Sequence, residues 1–277
     1  MVKKTVLCLL VLFFLSGLPR APLFGDLKDQ TLDEVLAKNY QAHGGLERLK
    51  SLTARKMSGK IAVIGEELEM PVVLWQKAPD KLRMEAIFQD QKIVQAFDGQ
   101  KAWWIMPFLS GKALEMPPEQ GNFFRNQAVF ENPLVVFREK GYKLELLGKE
   151  DLEGAAAFKL KLVRADGGEI FFYLDAASGL ELKSAMSLKS GEADSLAEII
   201  YGDFRDVGGY LLPFSVENKL DGKTGIKMTL DTIEVNPAME DSLFTMPEAK
   251  DASVVEGIAP TNVAPKQKKE GKKSKKK

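Results

Sequence analysis

Two of the side-chain types most often recruited for covalent chemistry are nearly missing from this chain. Its 277 residues include one histidine, His43, and one cysteine, Cys8. Cys8 lies in an apolar run, Val6–Leu15, so a mature form lacking that run has no thiol nucleophile, thiolate ligand or disulfide. His43 precedes Gly44-Gly45, the position of a turn histidine at a helix end, and no second His or Cys is there to work with it. Carboxylates are plentiful, but on alternating strands they make a solvated face, and no pair stands out as an acid–base couple. G-x-S-x-G, H-E-x-x-H and G-x-x-x-x-G-K-[ST] are absent, and no G-x-G-x-x-G joins a strand to a helix. The reading is therefore a non-enzyme, with no catalytic residue, no metal and no cofactor.

The elements that would position any site are mostly strands. Leu82, Met84, Ala86 and Phe88 alternate with Lys81, Arg83 and Glu85, the period of a half-buried strand. Asp98-Gly99 joins Ile93–Phe97 to Ala102–Met106, and Asp-Gly supplies the positive φ of a tight hairpin. All three tryptophans, Trp75, Trp103 and Trp104, fall in this region. Further alternating runs begin at Met57, Met70, Tyr142, Phe158, Ile170, Leu180, Leu196, Tyr210 and Ile226. In the last run the apolar parity slips between Leu230 and Ile233, as a bulge causes. Pro71 suggests an edge or a bulge in its strand. The total is eleven or twelve strands, linked by turns too short for parallel crossovers, hence an antiparallel meander.

Two stretches read as helices. Thr31 with Glu34 makes a capping box, and Gly44-Gly45 breaks the segment before Leu46, Leu49 and Leu52. In Pro117–Lys140, Phe123, Gln127, Phe130, Leu134 and Phe137 form one stripe, with a second row at Phe124 and Ala128; Pro133 splits the stretch in two. This segment is either a helix packed on the sheet or a lid closing over an apolar cavity.

The ends differ from the body. Residues 1–25 carry Lys3-Lys4 and an apolar run too short to span a bilayer, the pattern of an export signal; an uncleaved anchor is the alternative. Residues 256–277 end in a lysine-rich tail with no apolar face, expected to be disordered, either solvated or held at an anionic membrane surface. Three basic residues lie in 1–25, and eight lysines with one glutamate in 266–277. Of the 39 basic and 39 acidic residues, 28 and 38 therefore fall in 26–265, a net of −10. An acidic body lacks the electrostatic footprint for nucleic acid. Its 45% hydrophobic content allows a core. A sheet of this many strands must curl, and one apolar face then lines a concavity suited to acyl chains.

Three segments resemble the LolA/LolB-like family of outer-membrane lipoprotein carriers. They are Val73-Leu74-Trp75-Gln76-Lys77-Ala78-Pro79-Asp80, Asp98-Gly99-Gln100-Lys101-Ala102-Trp103-Trp104-Ile105-Met106-Pro107-Phe108, and Leu243-Phe244-Thr245-Met246-Pro247. The likeness spans roughly residues 31–250, within a single body of 26–255. It implies a mainly β open half-barrel of about eleven antiparallel strands with a helical lid. The implied function is a soluble, monomeric periplasmic carrier of lipoprotein acyl chains or another lipid. A sensor of the same fold, acting through a protein partner, is the alternative. In the family a basic residue before the proline engages the lid. Here Ala78 takes that place, leaving Lys77 and Arg83 as gating candidates. The expected cavity lining is Met84, Phe88, Trp103 or Trp104, Phe123, Phe130, Phe137 and Met186.

Overall fold

The structure is a computed structural model that describes residues 30–190 and 193–248. The expected export signal and the lysine-rich tail with its membrane contact lie outside the described residues.

Helix α1 (Leu32–Ala42) begins at the expected capping box. Thr31 Oγ1 accepts from Glu34 N at 3.3 Å, and the Glu34 carboxylate accepts from Thr31 N at 2.8 Å. It ends at His43, after which Gly44 turns the chain with φ 100° into α2 (Leu46–Ser51). A Cβ on Gly44 would lie 2.1 Å from the Gly209 carbonyl oxygen, so this close seat on a strand turn requires glycine.

Among the described residues there are thirteen strands, twelve of them on the alternating runs. They are β1 (Ala54–Val63), β2 (Leu68–Lys77), β3 (Lys81–Phe88), β4 (Gln91–Phe97), β5 (Ala102–Ile105), β6 (Ala113–Glu115), β7 (Lys143–Leu152), β8 (Ala155–Val163), β9 (Glu169–Asp175), β10 (Glu181–Ser190), β11 (Ala193–Val207), β12 (Tyr210–Leu220) and β13 (Lys223–Val235). They form one unclosed antiparallel sheet ordered β6-β5-β4-β3-β2-β1-β13-β12-β11-β10-β9-β8-β7. The expected count of eleven or twelve is corrected to thirteen. The strand not expected is β6, whose three residues are too few to show a period. The parity slip near Leu230 is a bulge: Ser58 pairs with Thr232, but Gly59 pairs with Leu230. Pro71 lies on an interior strand, not an edge. The β2–β3 ladder starts at Val72, so the missing N–H of Pro71 falls one residue outside it.

The chain between the edge strands β6 and β7 holds α3 (Pro118–Ala128) and α4 (Pro133–Val136). Each carries proline at its first turn, and Asn132 Oδ1 caps α4 by accepting from Leu134 N at 2.9 Å. This connection demonstrates the curl. Phe130 N donates to the Pro79 carbonyl in the β2–β3 turn at 3.1 Å. Leu134, four residues on and at most about 14 Å away, is buried in a cluster with β8 and β9 side chains. In a flat sheet β2 and β8 would be seven strand spacings, about 34 Å, apart. The two halves therefore bend towards each other.

Paired residues share a face, and the face under the helices is here called the inner one. Three clusters occupy its helix-covered end. Leu82, Phe97 and Ala102 pack under Phe124 and Ala128 of α3; Met57, Tyr210, Leu212 and Ile233 pack under Leu52; Leu160, Leu162 and Phe172 pack under Val35, Leu36, Leu134 and Phe137. The outer face of β3–β5 is covered by the closing segment after β13. Trp103 packs there with Val94, Ala96, Ile105 and Met246.

Asn236 ties this closing segment to the start of β1. Its Oδ1 accepts from Thr53 N (2.8 Å) and Ala54 N (3.2 Å), and its Nδ2 donates to the Ser51 carbonyl (3.0 Å). It also holds φ at 50°, a conformation asparagine tolerates better than alanine. Asn236→Ala is expected to lower unfolding stability by about 2 kcal/mol in urea titrations, with no change in far-UV circular dichroism.

Candidate inner-face binding surface

Register places an apolar surface on the inner face beyond the helices. One row across the sheet runs Met70–Ile61–Met228–Val216–Tyr201, each residue paired to the next. The row above it contains Leu68, Val63, Ile226, Asn218 and Ile199. Met84 and Phe88 on β3, and Met186 on β10, lie on the same face and are half-buried. Exposure rises towards the far end, where Ile226 is 43%, Leu220 50% and Leu188 39% exposed. Contiguous exposed apolar side chains on a curved sheet are costly in water, and they mark a contact surface. Methionine contributes an unbranched, polarisable side chain that adapts to a flexible partner.

The remaining expected lining residues fall elsewhere. Trp104 is on the inner face, packed against the cluster under α3, whereas its neighbour Trp103 points to the outer face and is fully buried there. Phe123 is 64% exposed, because α3 turns the Gly121, Phe124 and Ala128 row to the sheet. Phe137 is in the packed cluster beneath α1. The helical cover is thus a packed layer where Phe124, Ala128, Leu134 and Phe137 meet the sheet.

Lys77 and Arg83 also lie on the outer face, since Lys77 pairs with Ala54 and Lys81, and Arg83 with Trp75 and Ala96. They hold the closing segment rather than the helices. Lys77 Nζ donates to the Met239 carbonyl and to Asp241, both at 2.8 Å; Arg83 Nη1 donates to the Leu243 carbonyl at 3.0 Å. Hydrogen bonds from Lys77 and Lys81 hold the Asp241 carboxyl down at a pKa of about 2. The basic residues near the proline therefore fasten an outer strap.

A group of polar side chains sits where the covered and open parts of the inner face meet. Arg55, in phase with Met57, donates from Nη2 to Gln76 Oε1 at 2.7 Å, and its guanidinium lies 5.0 Å from the Phe130 ring centre. Arg55 Nε is sealed from solvent and has no hydrogen-bond partner among the described residues. Burial pushes the guanidinium pKa down. Tyr201, close enough to Arg55 to interact electrostatically, shares a hydrogen bond with Ser184 across 3.3 Å. Its phenol is pushed up by burial and then by Glu181. Glu181 has neither a hydrogen-bond nor an ion-pair partner among the described residues. Burial raises its pKa to about 8, so it stays protonated at neutral pH. Sequence reasoning missed this group. The one available signal was a charged residue, Arg55, on the apolar parity of its strand.

His43 serves structure: its Nδ1 is 2.8 Å from the Leu211 carbonyl oxygen, and its ring meets Phe204 edge-on. Among the described residues no group of three or more His, Cys, Asp or Glu is placed to hold a metal, and no helix is long and apolar enough to cross a membrane. A recess of about 450 Å³ on the outer face is lined by Leu152, Leu182, Lys183, Glu198 and Ile200. Its Lys183–Glu198 pair, 3.1 Å apart, already satisfies both charges.

No family model matches the sequence, and no curated protein matches it. Solved structures do match in fold. A LolA superfamily protein from Nitrosomonas europaea aligns with TM-score 0.53 and 15% identity, over 78% of this chain and 98% of that one. A domain named for outer-membrane lipoprotein sorting, from Vibrio parahaemolyticus, aligns with TM-score 0.50 and 14% identity, over 76% and 94%. A DUF1329 family protein from Desulfovibrio piger aligns with TM-score 0.51 and 11% identity, over 75% and 95%. The chain shares their fold.

Proposed function

We propose that this protein is an exported carrier that shields lipid acyl chains on the open inner face of its half-barrel. The observation that carries the reading is the methionine-rich apolar row, Met70, Ile61, Met228 and Val216, continued by Met84, Phe88 and Met186 and left only half-covered. Each methylene moved from water onto such a surface gains about 0.8 kcal/mol, so one acyl chain supplies useful affinity without any covalent chemistry. The fold shared with a domain named for lipoprotein sorting supports lipoprotein acyl chains as cargo and the periplasm as the compartment. Phe130, stacked on Arg55, belongs to the same site as the cap over its inner end.

The test is native mass spectrometry with lipid extraction on protein purified from a periplasmic fraction. Co-purified acyl species near one per protein are expected. A protein that is empty and also fails to bind a fluorescent fatty acid would overturn the reading. Met186→Glu and Ile226→Glu are each expected to weaken fatty-acid binding at least tenfold, because a carboxylate on the row must be desolvated by the chain. Phe123→Glu, on the exposed side of α3, is expected to leave binding unchanged.

A further inference from the structure

A buried arginine is stable when something pays back its lost hydration, and Arg55 lacks most of that compensation. Its polar contacts are one neutral amide, Gln76, and one ring face, Phe130. Among the described residues it forms no ion pair and its Nε proton has no acceptor. Removing a charge from water costs several kcal/mol unless a counter-charge is present. No acid is among the groups that act electrostatically on Arg55; the one that does is the Tyr201 phenol. The inner face thus carries a positive charge with no counter-charge among the described residues, close to the Tyr201–Ser184 hydroxyl pair, whose one shared hydrogen bond leaves a hydroxyl proton free to donate. Donors around a lone cation, at the inner end of an apolar row, are complementary to an anion attached to a hydrocarbon chain.

We infer that Arg55 is the anchor for the acidic head, a carboxylate or a phosphate monoester, of an amphiphile whose chain lies along the Met70–Met228 row. Tyr201 and Ser184 stand across from Arg55 to complete the head site, and Phe130 caps it. The inference rests on the acyl-binding reading above and adds a choice of ligand class. A single-chain acid is favoured over a neutral ester of the same length.

The test compares dodecanoic acid, dodecyl phosphate and methyl dodecanoate, each displacing a fluorescent fatty acid from the full chain, and inorganic phosphate alone in thermal unfolding. The wild-type protein is expected to bind both acids at least tenfold more tightly than the ester. Arg55→Met is expected to bring the acids down to the affinity of the ester and to leave the ester unchanged; Arg55→Lys retains part of the preference. The variant is expected to melt no lower than the wild type, since methionine matches the stem and removes the unpaired charge. Should Arg55→Met fail to fold, the acid-to-ester ratio in Arg55→Lys decides, a ratio undiminished from wild type counting against the anchor.

Equal binding of acid and ester by the wild type overturns the anchor while leaving the acyl surface intact. An acid preference that survives Arg55→Met does the same. If inorganic phosphate raises the melting temperature as much as dodecyl phosphate does, the site takes free anions and the amphiphile assignment falls. Failure of all three chain-bearing probes to bind overturns the acyl-binding reading itself.

Discussion

Trp103→Ala is expected to destabilise the protein by about 4 kcal/mol in denaturant unfolding and to release the closing segment to protease first. Trp103 is fully buried on the outer face among Val94, Ala96, Ile105 and Met246. Its Nε1 donates to the Phe244 carbonyl at 2.8 Å, and the Arg83 guanidinium lies 5.6 Å from its ring centre. Alanine would leave a cavity and also strand a buried carbonyl. Trp103→Phe keeps most of the packing and loses only the N–H, so about 2 kcal/mol is expected. Cleavage after residue 235 should precede global unfolding in the alanine variant. If the segment stays protected, the strap is held by Lys77, Lys81 and Arg83 instead, and the assignment of Trp103 as its main support is wrong. Fatty-acid binding per folded molecule is expected to be unchanged, because Trp103 faces away from the inner surface.

The second large effect is a pH dependence set by Glu181. In the unfolded chain its carboxyl ionises near 4.5; in the folded protein burial raises this to about 8. Between those values the folded state keeps a proton that the unfolded state has released. Stability therefore falls as pH rises from about 4.5 to about 8, and the full penalty applies above that. Glu181→Gln keeps the shape and removes the titration. Its stability is expected to match wild type at pH 4.5 and to exceed it by about 4 kcal/mol at pH 9. His43 acts in the opposite sense: burial lowers its pKa, so the unfolded state takes up the proton first as pH falls below 6.5. That contribution is common to both proteins and cancels in the difference. A pH-independent difference would mean that Glu181 ionises normally in the folded state, with water reaching it. Acid-head binding is expected to weaken above pH 8, as the ionised carboxylate comes to share the inner face with the ligand's charge.

Much of the architecture is legible in the residues. Thr31 and Glu34 announce a helix start, Asp98-Gly99 a hairpin, and Pro133 the split between α3 and α4, because caps and turns are local chemistry. The bulge near Leu230 shows as a slip in parity for the same reason. Where the expected lining residues fall on the sheet was legible in part. Met84, Phe88 and Met186 stand on the apolar parity of their strands and reach the inner face, but Trp103, Phe123 and Phe137 do not line it. Trp103 and Trp104 are adjacent, so one of them had to point each way, and alternation cannot say which way is inward. In α3 both Phe123 and Phe124 headed an apolar row, and only contact with Ala102 and Phe97 selected the second.

By itself the sequence determined the order of the elements, their antiparallel connection and the two-sidedness of each strand, since these follow from propensities and spacings within a few residues. Tertiary structure alone decided which side is inner, how far the helices cover it and which charges meet across the curl. Arg55 and Tyr201 lie on strands separated by β13 and β12, 146 positions apart along the chain, and their proximity exists only because the sheet bends. Lys77 and Arg83 show the same dependence. Their charge is visible in the sequence, but their role as a strap, not a gate, comes from the return of residues 239–244 to the outer face. Local spacing cannot encode such contacts, because they are made between segments whose separation is set by the whole fold.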